Sequence, residues 1–153
     1  DLMMRDFAQT IVKVKDRHHL ILLAEQILQH IPYQPESTSV TTSAIDSFYA
    51  GQGVCQDHAH VFIAMCRALQ LPARYVSGYL YDQNQPHLAS HAWAEVFVEN
   101  EWYCFDISNQ IFTPKSHIYV AIGRDYLDVA PVRGVREQGG IESMTSSVQV
   151  LAC

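Results

Sequence analysis

Charge is scarce in this sequence. Asp, Glu, Lys and Arg make up 17% of its 153 residues, where a soluble domain usually carries about 25%. The surface therefore either relies on Ser, Gln, Asn and His or is partly covered by something outside the chain. Cations are the rarer sign, ten against sixteen acids for a net charge of −6, and no Lys/Arg cluster is present. A nucleic-acid groove and an anionic membrane surface both call for one, so neither partner is expected. Long apolar runs are also missing: stretches such as residues 20–24 fall far short of the roughly 18 residues of a membrane span. Cysteines 55, 66, 104 and 153 form no C-x-x-C pair and no dense spacing, which speaks against a zinc ribbon or a disulfide scaffold and for a reducing, cytoplasmic setting. No signal-peptide pattern, internal repeat or low-complexity tract is visible. The chain opens on Asp1 rather than Met, as a piece of something longer would.

What is abundant is apolar material, 48% of the residues, enough for one core in a single domain over residues 1–153. Within residues 17–31, Leu20, Leu23, Ala24, Ile27, Leu28 and Ile31 recur at steps of three and four, which predicts an amphipathic helix closed by Pro32. Residues 33–54 are rich in Ser, Thr, Gly and Pro, with a short helix expected over 42–49 before the Gly51-Gln52-Gly53 turn. A second long helix is predicted over 55–70, where Ala59, Phe62, Ile63, Cys66 and Leu69 share a face and Pro72 follows. The period then changes. Residues 75–81, 91–98 and 102–107 are short, β-branched or aromatic and separated by polar turns, so they read as consecutive strands, with 118–122 and 148–151 as further ones. Residues 123–147 show no period and are expected to be loop. The fold class that results is α+β, helices first and an antiparallel sheet after.

Cys55 follows a Gly-x-Gly turn and opens the second long helix, where first-turn N–H groups and the helix dipole favour a thiolate. Taken alone it reads equally well as a small buried hydrophobe. His91 and Asp106 sharpen the choice. They lie on strands joined by Val98-Glu99-Asn100-Glu101, a turn whose Asn suits a positive φ. A two-residue loop pairs Val98 with Glu101 and, continuing outward, sets Asp106 opposite Trp93 and His91 opposite Ser108. Both side chains then share one face as diagonal neighbours about 5–8 Å apart at Cβ; an odd loop would put them on opposite faces. Nucleophile, base and orienting acid are what acyl transfer through a thiol requires, with a thiolate–imidazolium pair at rest. The backbone N–H of Cys55 is the natural first donor to the oxyanion. Gln52, Gln56 and Tyr49 are unranked candidates for the second, and Trp93 reads either as a wall of the site or as plain core.

Gly53-Val54-Cys55-Gln56-Asp57-His58-Ala59-His60, Ala73-Arg74-Tyr75-Val76-Ser77-Gly78-Tyr79-Leu80, Ser90-His91-Ala92-Trp93-Ala94-Glu95-Val96 and Trp102-Tyr103-Cys104-Phe105-Asp106-Ile107-Ser108-Asn109 resemble, in order and spacing, the core of bacterial transglutaminase-like proteins. His117-Ile118 and residues 123–135 extend the likeness over nearly all of 17–151. The family's Cys, His and Asp fall on Cys55, His91 and Asp106. The resemblance implies a papain-like cysteine-enzyme fold and thioacyl-enzyme chemistry on a glutamine or peptide amide. It further implies a peptide or protein substrate, no catalytic metal and no cofactor. It leaves the acceptor open: water for a cysteine protease or amidase, which we favour, or an amine for a transglutaminase. No Asp-x-Asp loop suggests calcium. The family's usual Asp-Pro-Thr-Asn is Asp106-Ile107-Ser108-Asn109 here, and a Cys stands at 104 where Gly is more familiar. Longer relatives carry a β-rich region before this core, so this chain is expected to be the C-terminal catalytic part of a longer protein, with an apolar patch near residues 1–20 meeting that region.

The remaining signals are weaker. Asp57 is expected to complement the start of its helix. His58 and His60, two apart, face different ways and make a poor metal pair, and zinc held by His60, His87 and His91 has no motif behind it. Cys66 and Cys104 are expected in the core and Cys153 at a loose end. A different class of reading is a non-catalytic scaffold that binds a peptide or partner through the same cleft. Substrate choice is assigned to loops 82–90 and 123–147, and the oligomeric state is left open.

Overall fold

The structure, a computed structural model, describes residues 1–81, 89–130, 139–140 and 147–150. α1 (Leu2–Ile11) starts at Asp1, whose carboxylate accepts the Met4 N–H at 3.0 Å, and buries Met4 and Ala8. The sequence reading had no helix here, although Met4, Phe7, Ala8 and Ile11 carry the helical step. Leu2, Met3 and Val14 stand exposed on this part of the chain. α2 (Arg17–His30) is capped by Asp16, which accepts the His19 N–H at 2.8 Å, and buries Leu20, Leu23, Ala24 and Ile27, the stripe the spacing predicts. α3 (Ala44–Ala50) is capped by Ser43 and ends on Gly51, whose φ of 65° is left-handed. α4 (Cys55–Ala68) is the central helix, packed against β1 and β2 on one side and α1, α2 and α3 on the other.

The strands β1 (Ala73–Leu80), β2 (His91–Val98), β3 (Glu101–Phe105) and β4 (His117–Gly123) form one antiparallel sheet in the order β3-β2-β1-β4. Glu99 and Asn100 both take positive φ, 51° and 68°, which is the type I′ turn that suits the twist of a two-residue hairpin. Val98 pairs with Glu101 and the register runs back to Ala94 with Phe105, so the even loop holds and parity with it. Along β2, Ala92, Ala94 and Val96 enter the main core with Phe105, whereas Trp93 joins Val76 and Cys104 in a separate cluster.

β4 returns beside β1 with a register shift at Ser77/Gly78. Gly78 is required there, because a Cβ would run into the Ile118 carbonyl and the Trp93 ring. Gly78→Ala is therefore expected to cost about 2 kcal/mol or more, since backbone cannot yield as a side chain can. Urea unfolding measures this, and an unchanged midpoint would show that the bulge yields.

Two expectations are corrected. α5 (Tyr126–Val129), capped by Asp125, falls in the stretch expected to be loop; one turn of helix is too short to show a period. Of the strand expected over 148–151, the described residues hold a single bridge position at Gln149 instead. Residues 82–88, 131–138, 141–146 and 151–153, with His87 and Cys153 among them, lie outside the described residues. Among those described, no helix is long and apolar enough to cross a membrane.

Candidate active site

The loop before Cys55 is held from several directions. Tyr33 and Gly53 form a parallel bridge, with the Gln34 N–H donating to the Gly53 carbonyl at 2.8 Å. The buried Asp57 carboxylate accepts the Val54 N–H at 2.8 Å, the Thr38 hydroxyl at 2.6 Å and the Ser47 hydroxyl at 2.8 Å. Asp57 thus closes the first turn of α4, the role its position suggested, and links it to α3 and to the 33–43 segment. Gly53 must lack a side chain, since its Cβ would lie 2.8 Å from that of Asp57. Cys55, the first residue of α4, is thereby fixed at the helix start, where N–H groups have no intrahelical acceptor.

His91 opens β2 and Asp106 follows β3 by one residue. Their side chains meet at 2.7 Å, His91 Nε2 to Asp106 Oδ2, and His91 lines one cleft with Cys55, close enough for Cys55 to raise the pKa of the imidazole. The β2–β3 ladder ends at Ala94 with Phe105, and Asp106 pairs with Ile111 rather than standing opposite Trp93 as expected, but its side chain still meets that of His91. Asp106 is itself fixed by a two-way backbone pairing with Ile111, at 2.9 and 3.1 Å, and by Asn109, whose backbone N–H reaches Oδ1 at 3.2 Å and whose side-chain amide reaches Oδ2 at 3.0 Å. Burial opposes a charge on His91, but hydrogen bonds and charge from Asp106 and Cys55 outweigh it and raise the imidazole pKa to about 9. Burial likewise pushes Asp106 up, and the donors from His117, His91 and Asn109 overcome it, holding the carboxyl far below its ordinary range.

A cleft of about 510 Å³ opens beside Cys55 and His91, lined among others by Tyr33, Tyr75, Tyr79 and Tyr126. Of the residues named for the oxyanion, Gln56 lines this cleft with its amide donating to the Val40 carbonyl at 3.2 Å. Gln52 and Tyr49 are not in the lining, and the Tyr49 hydroxyl reaches Asp1 at 3.4 Å. Trp93 stands behind the site rather than facing the cleft: it is fully buried, with its ring centre 5.8 Å from that of His91 and 4.8 Å from that of His117.

Three neighbours of the site are not among the residues that the sequence assigns to it. Tyr33 borders the cleft across the bridge to Gly53, and burial first, the Cys55 sulfur second, push its hydroxyl pKa up. Asn109 had a local signal, an Asp three residues before an amide that can turn back on it. His117 stood in a segment that extends the family likeness, but nothing in the sequence placed it at Asp106, which it reaches through the β1–β4 pairing.

His58 and His60 have structural partners, and Cys66 and Cys104 are buried. His58 donates Nε2–H to the Ile31 carbonyl and receives the Ser108 hydroxyl on Nδ1, both at 2.7 Å, with burial lowering its pKa. Ser108, a departure from the usual motif, thus has a partner in α4. His60 Nε2 accepts the Tyr126 N–H at 3.2 Å, and burial lowers its pKa too. Burial pushes the Cys66 thiol up and the Cys104 thiol to about 12, so neither is a ready nucleophile. Among the described residues, one group of His, Cys or acid atoms is close enough to suggest a metal, His91, Asp106 and His117 within 4.8 Å of one another. Its Nε2 to Oδ2 distances of 2.7 and 2.8 Å are those of N–H donors on a carboxylate, a hydrogen-bonded relay rather than a ligand set.

The sequence profile described as the transglutaminase-like superfamily matches residues 5–107. A Mycobacterium leprae protein of uncharacterized function is 31% identical over 140 residues, 88% of this chain and 50% of its own. A Mycobacterium tuberculosis protein, likewise uncharacterized, is 38% identical over 125 residues, 74% of this chain and 40% of its own. A candidate cysteine protease from Cytophaga hutchinsonii, 32% identical, superposes with a TM-score of 0.73 over 84% of this chain and 44% of its own. LapG of Legionella pneumophila, at 15% identity and a TM-score of 0.60, covers 89% of this chain and 81% of its own and shares the fold. The chain spans half or less of the length of the curated relatives it matches here.

Proposed function

We propose, from the premise that this chain belongs to the transglutaminase-like superfamily, that it is a thiol enzyme acting on a peptide or glutamine amide through Cys55, His91 and Asp106. One observation carries the reading: an imidazole that shares a cleft with Cys55 is held 2.7 Å from a buried carboxylate. In this scheme the Cys55 thiol passes its proton to His91 Nδ1 and Sγ attacks the amide carbonyl carbon, with the oxyanion met by the Cys55 N–H at the start of α4. His91 then gives its Nδ1 proton to the departing amine as the C–N bond breaks, leaving a thioester on Cys55. The acceptor attacks the thioester while His91 takes its proton, and the thiol returns. Asp106 keeps the ring in the tautomer and orientation that put Nδ1 toward sulfur.

Water is the acceptor we favour, and the 32% identity to a candidate cysteine protease supports it; amine transfer is the alternative. To test the scheme, the protein is mixed with a glutamine-rich peptide library, with and without a primary amine, quenched in acid and digested. An acyl adduct on the Cys55 peptide is expected, with acid or cleaved peptide as product even when amine is present. Turnover with no adduct at Cys55 would overturn the thioacyl scheme, and an amine-linked product would move the reading to transferase.

A further inference from the structure

We infer that His117 is a positioning residue of this site: from β4 it fixes the Asp106 carboxylate through its Nε2–H, so that the same oxygen is held toward His91. The inference rests on the proposed roles of His91 and Asp106, but the physical link it asserts can be measured without a substrate.

His117 is the first residue of β4 and pairs with Leu80 of β1. It lies beyond the 5–107 segment matched by the family profile. Its Nε2 is 2.8 Å from Asp106 Oδ2, the oxygen that His91 Nε2 meets at 2.7 Å. The His117 side chain is wholly buried, whereas that of His91 retains 13% exposure, so one imidazole can meet the cleft and the other cannot. A carboxylate only accepts, so the proton sits on His117 Nε2. Its Nδ1 is buried with no hydrogen-bond partner, and the Trp93 ring packs against it edge-on at 4.8 Å.

An orphaned buried nitrogen costs about 1–3 kcal/mol. A phenyl ring would fill the same space without that cost, so volume does not account for an imidazole here. The Nε2–H does, because Asp106 carries its charge with no exposure and every donor aimed at it steadies the carboxylate. Three donors surround Oδ2: His91, His117 and the Asn109 amide. Asn109 comes from the same turn as Asp106, whereas His117 comes from the far strand of the sheet and ties that turn to β4.

The test uses the difference in reach between two amides. Glutamine can place its N–H₂ where His117 Nε2 lies; asparagine reaches only the Nδ1 position. The ¹⁵N-histidine spectrum of the intact chain reports the tautomer of His117 and the titration of His91, which faces Cys55 from α4, Asp106 and Asn109 from the turn after β3, and His117 from β4. In the parent, His117 is expected as the Nε2–H tautomer. H117Q should leave the His91 titration in place, whereas H117N and H117F should lower it by about one unit or more, a tenfold change in proton affinity. In the same variants thioacyl formation should fall about tenfold at unchanged KM for asparagine and phenylalanine and be largely kept for glutamine. If the phenylalanine variant does not fold, the two amides still decide. A His91 titration alike in all three variants, or glutamine behaving as asparagine, would overturn the inference. Should Cys55 carry no acyl group at all, the thioacyl scheme fails while the spectra still decide the role of His117.

Discussion

Cys55→Ala is expected to lower turnover of any amide substrate by about 10⁶-fold, because the one atom that can form the thioester is gone and only binding and the oxyanion donor remain. The same change should leave the fold intact. Cys55 is half-buried at the first position of α4, where alanine is a good helix former, and the first turn is closed by Asp57 rather than by the thiol. An unfolding midpoint within about 1 kcal/mol of the parent is expected. Turnover and urea unfolding on the same preparation separate the two effects. Full turnover by the alanine variant would remove Cys55 from the mechanism.

Asp106→Asn should have the second largest effect, about 10⁴-fold on kcat, as for a triad whose imidazole loses its orienting carboxylate. The physical loss is larger than one contact, since both His91 and His117 donate to Oδ2, and an amide that turns its oxygen to them sets its NH₂ against the Asn109 N–H that Oδ1 accepts. The effect also depends on pH. His91 has its pKa raised from 6.5 to about 9 in the folded protein, so its pairing stabilises the fold fully below about pH 6.5 and the gain is lost as pH rises through about 9. Asp106 has its pKa lowered, so its contribution is present above the ordinary carboxylate range near pH 4 and is lost only in stronger acid. The stability cost of the substitution should therefore be greatest between about pH 4.5 and 6.5, on the order of 3 kcal/mol at most, since the part of the His91 shift that Cys55 supplies remains. It should shrink above pH 9. The alkaline limb of kcat/KM, near pH 9 in the parent if His91 must be protonated, should move toward 6.5. Equal destabilisation at pH 6 and pH 10 would show that the pairing of His91 with Asp106 is not what the substitution removes.

The parts of this site that could be read from the sequence are those that depend on local geometry. A Gly-x-Gly turn ahead of an apolar helical stripe sets Cys55 at a helix start. A two-residue turn sets the parity of the hairpin, and parity alone places His91 and Asp106 on one face. Asp57 at the third position of its helix was legible as a cap for the same reason, although its further contacts to Thr38 and Ser47 were not. α1 was open to the same reading as α2 and was passed over, whereas the single turn of α5 offers no period to read.

What only the tertiary structure decides is which distant groups share an atom. His117 lies eleven residues beyond Asp106 on a strand that is paired not with β3 but with β1 at the other side of the sheet, and only the register across the Gly78 bulge brings it to Oδ2. The Ser108 hydroxyl meets His58, fifty positions away, for the same kind of reason. The sequence by itself determined where the candidate groups stand, a thiol at a helix start and an imidazole and a carboxylate at one end of a hairpin, because helix starts and hairpin parity are properties of a few consecutive residues. The charge on His91 and Asp106 and the donors that hold Asp106 were decided by burial and strand order, which belong to the whole chain.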